Sequence, residues 1–176
     1  MRRRAILAAM AAWALPARAQ NIHALEVEGA AQRLRLWIEA YQAGAYADQW
    51  RLTDSRIRRW FGRDRWRRMM RASAQRNGAL LSVQTASAAL ASAADLPCTE
   101  QRHCFRHGVP YALFLLHTAY ERATPAQPEF AVMAHSDEGW SFGGGTLLNR
   151  PLGETAVILT EADERRYAPD LSGIRR

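Results

Sequence analysis

Apolar residues in the first half of the chain return at helical intervals. Ala30, Leu34, Trp37, Ile38 and Tyr41 recur every three to four positions, with Arg33, Arg35 and Glu39 elsewhere around the wheel, which predicts an amphipathic helix over residues 24–43. Gly44 ends it in the manner of a glycine just past a helix C-terminus. Tyr46 and Trp50 stand at i and i+4 and predict a shorter helix around Tyr46 to Thr53. Trp66, Met69, Met70 and Ser73 at i, i+3, i+4 and i+7 predict a third from about Arg63 to Gln75, stopped by Asn77-Gly78.

After Gly78 the period shortens to that of strands. Leu80 to Leu90 is rich in Val, Thr, Ser and Ala, and Val109 to Tyr120 is a nearly continuous apolar and aromatic run. Phe130 to His135 precedes the turn residues Asp137-Glu138-Gly139, and Trp140 to Leu148 supplies a fourth strand. Gly143-Gly144-Gly145 within it predicts a bulge or sharp curvature, since glycine adopts backbone angles closed to other residues. Helices followed by a meander of strands give an α+β class: N-terminal helices packed on a curved four-stranded antiparallel sheet. Trp37, Tyr41, Tyr46, Trp50, Trp60, Phe61 and Trp66 are expected to fill the gap between helices and sheet, or to line a ligand pocket where it stays open.

The first 19 residues read as an export signal. Arg2 to Arg4 form a positive start, Ala5 to Leu15 a short apolar run, and Ala17-Arg18-Ala19 a cleavage site before Gln20. The run is shorter than the ~20 residues of a spanning helix, so an integral membrane protein is not expected. Residues 20–149 then form one domain and residues 150–176 a tail, of which the apolar Ala156 to Leu159 docks. A periplasmic or secreted location follows, and it disfavours nucleic acid as a partner.

Charge is where the composition becomes unusual. All 24 basic residues are arginine, which removes Schiff-base, serine-lysine and P-loop chemistry. No motif for a cofactor or resident metal is present, so none is expected. Without the signal, 20 arginines face 17 acidic residues, and the formal charge drops from +7 to +3. Ten of those arginines lie between Arg51 and Arg76 against only Asp54 and Asp64, a local charge of +8. Arg63, Arg67 and Arg71, at i, i+4 and i+8, repel one another along the third helix. This cluster reads as either a solvated helix face or a docking site for an anionic envelope component or an acidic protein.

Two further sets of residues suggest chemistry. Cys98 and Cys104, the only cysteines, read as a disulfide closing the loop between the first two strands; zinc held by Cys98, His103, Cys104 and His107 is the rival. His117 and His135 come near each other if their strands pair as a hairpin, with Tyr111, Tyr120 or Asp137 as companions for acid-base work; a small cofactor-free hydrolase or isomerase would use His117 or His135 in a pocket of the fold. Otherwise they are ordinary strand residues, and the chain is a non-enzymatic binding domain.

The stretch from Trp37 through Gly44, Tyr46 and Trp50, followed by Arg65-Trp66 and Glu138-Gly139-Trp140, resembles a bacterial exported family of unknown function over about Ala30 to Leu148. The resemblance implies a cystatin-like or nuclear-transport-factor-two-like cone, a long helix against a strongly bent sheet. It carries over no catalytic residue. The cysteine loop, the triple glycine and the tail depart from the family pattern.

Overall fold

The stripe from Ala30 to Tyr41 becomes α1, residues 26–42, in a computed structural model that describes residues 26–96, 105–123, 127–150 and 152–155. Residues 1–19, Cys98, His103, Cys104 and Ala156 to Leu159 lie outside the described residues. Ala30, Leu34, Trp37, Ile38 and Tyr41 are all buried. Gly44 follows at φ +68° and donates its N–H to the Tyr41 carbonyl at 2.9 Å. Then come α2 (Tyr46–Arg51), α3 (Ser55–Phe61) and α4 (Arg63–Asn77). The sequence pattern did not predict α3, because Ile57 is its only buried residue. Its signal is local: the Asp54 carboxylate accepts the Arg56 N–H at 2.8 Å as an N-cap, and Gly62 at φ +67° divides α3 from α4.

The sheet is wholly antiparallel, in the order β1 (Leu80–Ala91), β2 (Tyr111–Tyr120), β3 (Gln127–Ser136), β4 (Gly139–Gly145) and β5 (Leu152–Gly153). Among the described residues it has five strands where four were expected, because the start of the tail adds two residues beside β4. The expected strand from Trp140 to Leu148 stops at Gly145. Leu148 and Asn149 turn the chain with φ of +68° and +53°, values no strand contains. The glycine run does hold a bulge: Val132 opposes Gly144 and Met133 opposes Phe142, leaving Gly143 as the extra residue. A Cβ on Gly145 would overlap the Phe130 carbonyl oxygen, so the strands close only around glycine.

Helices cover one face of this sheet. Trp37 stacks on Phe142 at 4.1 Å between ring centres and meets Trp66 edge-on at 6.2 Å; Phe114, Leu116, Ala131 and Met133 complete the layer beneath. The tryptophans keep their N–H groups paired inside the core. Trp37 donates to Thr53 Oγ1 at 3.1 Å and Trp66 to Gln49 Oε1 at 3.3 Å. Most of the aromatic series thus fills the helix-sheet gap, while Trp60 stays 42% exposed. On the opposite face a smaller cluster gathers Ala93, Leu96, Phe105, Tyr111, Val132 and Ala134.

Glu129 holds the turn after β4 in place. Its buried carboxylate accepts hydrogen bonds from the Thr118 and Tyr120 hydroxyls, both at 2.7 Å, and from the Asn149 N–H. From the other side, the Leu148 carbonyl accepts Ser73 Oγ–H at 3.1 Å and Asn77 Nδ2–H at 2.7 Å from α4. Arg150 donates to the Met69 carbonyl at 3.1 Å. Replacing Glu129 by Ala strands several buried donors, so Glu129→Ala is expected to lower unfolding free energy by about 3 kcal/mol, with Glu129→Gln costing less. Urea denaturation at constant slope measures this; equal losses for the two variants would contradict it.

Candidate functional site

The solvent side of α4 follows from its buried side. Trp66, Met69, Met70, Ser73 and Asn77 face the core, which turns Arg63, Arg67, Arg68 and Arg71 outward, and all four are exposed. The stripe Arg63, Arg67 and Arg71 is therefore a continuous surface feature. Asp64 relieves part of its repulsion, lying 3.4 Å from Arg67 and in the first turn, where a negative charge favours the helix. Among the described residues no carboxylate pairs with Arg58, Arg59, Arg63, Arg68 or Arg71. At the α3–α4 junction the exposed Trp60 ring lies 5.9 Å from the Arg106 guanidinium, and Phe61 lies 5.1 Å from that of Arg65.

Not every arginine in the crowded stretch belongs to this surface. Arg56 turns inward and grips Asp54 through two nitrogens at 2.8 and 3.1 Å, while its third reaches to 3.7 Å from Glu154. Asp54 and Glu154 are both buried. This carboxylate–guanidinium–carboxylate set ties the N-terminus of α3 to the residues after β5. Neither Glu154 oxygen has a hydrogen-bond partner among the described residues, and burial pushes its carboxyl up despite the Arg56 charge. Burial likewise pushes the Glu129 carboxyl up, against its Tyr120 and Thr118 hydrogen bonds. Burial acts the same way on Asp54, but the Arg56 bonds and charge outweigh it and hold that carboxyl low.

The two histidines do not come together. His117 pairs with Pro128 near one end of the β2–β3 ladder, whereas His135 lies seven residues farther along β3, roughly 23 Å away at strand rise. Both are exposed, and His135 packs edge-on against Trp140 at 4.8 Å between ring centres. The strands do pair as a hairpin, but its register puts the two imidazoles toward opposite ends. Their expected companions are engaged elsewhere: Tyr120 donates to Glu129, and the buried Tyr111 donates to the Arg106 carbonyl at 3.4 Å. Among the described residues no cluster of three His, Cys, Asp or Glu side chains is arranged to hold a metal.

A groove of about 530 Å³ runs between α1 and β1. Its floor is Leu34, Ile38, Phe114 and Leu116, and its rim includes Arg35, Glu39 and Gln84. The aromatic series contributes nothing to it, because those rings close the gap nearer β4. Among the described residues no helix is long and apolar enough to cross a membrane. Comparison of the chain with protein families, characterised proteins and solved structures finds no match.

The buried carboxylates set the pH dependence of stability. Glu129 and Glu154, raised above 4.5 in the folded protein, contribute stability that is present at acidic pH and lost as pH climbs through their folded values. Asp54, lowered below 3.8, contributes stability above that value and loses it as pH falls further. The urea midpoint is therefore expected to rise as pH drops from 7 toward roughly 4.5 and to decline below about 3.8. Glu154→Gln should remove part of the rise. A midpoint that falls steadily from neutral pH would contradict the assignment.

Proposed function

We propose that this chain is a non-enzymatic binding domain of the cell envelope, which docks on an anionic surface through the arginine face of α4. The observation that carries this reading is the row Arg63, Arg67 and Arg71, exposed beside Arg58, Arg59 and Arg68, five of these six without a carboxylate partner among the described residues. Guanidinium groups bind phosphate bidentately and release bound water more readily than ammonium does. The exposed Trp60 ring near the α3–α4 junction adds an amphipathic anchor of the kind that sits at headgroup level. Together they favour a phosphate-bearing lipid surface over an acidic protein.

The export signal read from residues 1–19 supports an envelope location, since it would deliver the mature chain past the inner membrane. The packing of α1 over one face of the sheet, with a groove beneath it, supports a cystatin-like or nuclear-transport-factor-two-like cone and the exported family it resembles. His117 and His135 are far apart in the β2–β3 register, and neither lines the groove beneath α1, which favours the binding reading over a hydrolase or isomerase.

The test is partition onto vesicles of anionic phospholipid, measured by co-sedimentation across a salt series. Binding should weaken steeply with salt. At low salt the triple variant Arg63→Gln, Arg67→Gln, Arg71→Gln should lose about 3 kcal/mol, roughly a hundredfold, from about 1 kcal/mol per arginine at a charged surface. Its thermal midpoint should hold or rise slightly, because the like-charge pairs are gone. Binding that ignores salt or survives the triple change would overturn the proposal.

A further inference from the structure

The two edges of the sheet are treated differently. Along β4 the outward edge is occupied twice. Thr53 bridges Phe142 in parallel, with the Asp54 N–H donating to the Phe142 carbonyl at 2.9 Å and the Phe142 N–H to the Leu52 carbonyl at 2.8 Å. Gly144 and Gly145 then pair with β5. The opposite edge is β1, twelve residues long and roughly 40 Å at strand rise, and among the described residues no strand pairs with its outer side.

Its sequence lacks the usual protection of an edge. LLSVQTASAALA contains no charged residue and no proline, and Gln84 through Ala89 are exposed in succession, so both faces of the strand are bare there. Two register shifts against β2, between Leu80 and Ser82 and between Thr85 and Ser87, are the only edge-twisting devices present. They still leave the regular stretches Ser82 to Thr85 and Ser87 to Ala91. The small side chains of Ala86, Ser87, Ala88 and Ala89 put no bulk between this backbone and another.

We infer that the β1 edge pairs with β1 of a second copy of this chain, antiparallel across a two-fold axis, to join two five-stranded sheets into one. Charge favours this occupant. A chain carrying a net positive charge repels its own copies over most orientations. The β1 edge is the exception, because it is neutral itself and neighboured by α1, where Glu26, Glu28 and Glu39 outnumber Arg33 and Arg35 by one. Most of the arginine cluster is tied to the other end: Ile57 of α3 packs at Gly153 and α4 bonds to the turn at Leu148, while Arg76 alone of the cluster lies near the start of β1. Pairing at β1 therefore joins copies without bringing their arginine faces together. Because Leu52 to Asp54 and β5 occupy the other edge, the contact is the same patch on both partners and growth stops at two.

This inference is independent of the anionic-surface reading, since β1 contains no arginine. The full exported chain is tested by sedimentation equilibrium over a concentration series, with two double variants at exposed positions, Thr85→Lys with Ser87→Lys and Thr85→Glu with Ser87→Glu. The wild-type chain should show a reversible monomer–dimer equilibrium. Each double variant should need at least about tenfold higher concentration to dimerise, since like charges face one another across the axis. An equimolar mixture of the two should dimerise again, a recovery that misfolded chains cannot give. A wild-type chain monomeric up to about 1 mM overturns the inference. Dimers unaffected by both double variants, or no recovery on mixing, overturn it equally.

Discussion

The arrangement of the molecule depends on a single buried carboxylate under the turn that follows β4. Leu148 and Asn149 are forced to positive φ, a strained conformation for residues with side chains, and the turn persists because both its sides are held. Glu129 accepts from the Asn149 N–H while Ser73 and Asn77 donate to the Leu148 carbonyl. Those contacts fix the height of α4 over the sheet. They also direct the chain into Arg150, whose guanidinium bonds to α4, and then into β5. Without the turn, the helix bearing the arginine face keeps its apolar seam, the Trp66–Gln49 hydrogen bond and the Arg122 contacts at its C-terminal end, but loses its tie to the strand side of the molecule.

A second buried charge set finishes what the first begins. After β5, Gly153 fits against Ile57 where a Cβ would collide, and Glu154 approaches the Arg56–Asp54 pair. An ion-paired cluster of this kind contributes little net stability, because desolvation offsets most of its attraction, but it penalises any other placement of its members strongly. Its effect is to specify position: α3 can sit only where Arg56 meets both carboxylates. The arginines of the α3–α4 stretch thus divide into one that organises the interior and a group left to solvent.

Periodic features of this fold are legible in the sequence, and features made by contact between distant residues are not. The stripes of α1 and α4 are visible because each repeats over several turns. A seven-residue helix with one buried side chain carries too little repetition, although Asp54 and Gly62 mark its ends. β5 has two residues and exists only because β4 offers an edge. Nothing near Glu129 signals that its carboxylate will cap a turn twenty residues away. Register explains the histidines too: alternation identifies β2 and β3 as strands, but the pairing of His117 with Pro128 is set by where the chain turns between them. Arginine crowding was plain in the sequence, whereas the inward turn of Arg56 follows from Glu154, nearly a hundred residues later.

The same distinction explains why the surface is polarised. The two arginine-rich helices, α3 and α4, are engaged at the end of the sheet where the chain closes on itself, through Arg56 and Arg150. The neutral strand lies at the end where the sheet begins, beside α1, whose acidic residues outnumber its arginines by one. Buried ion pairs need partners from several elements, and β4 is where α3, α4 and the tail converge. β1 has β2 on one side and Gln84 to Ala89 open to solvent, so it takes no part in this convergence. The strand order therefore gathers the buried charge sets around β4 and leaves β1 as the neutral edge.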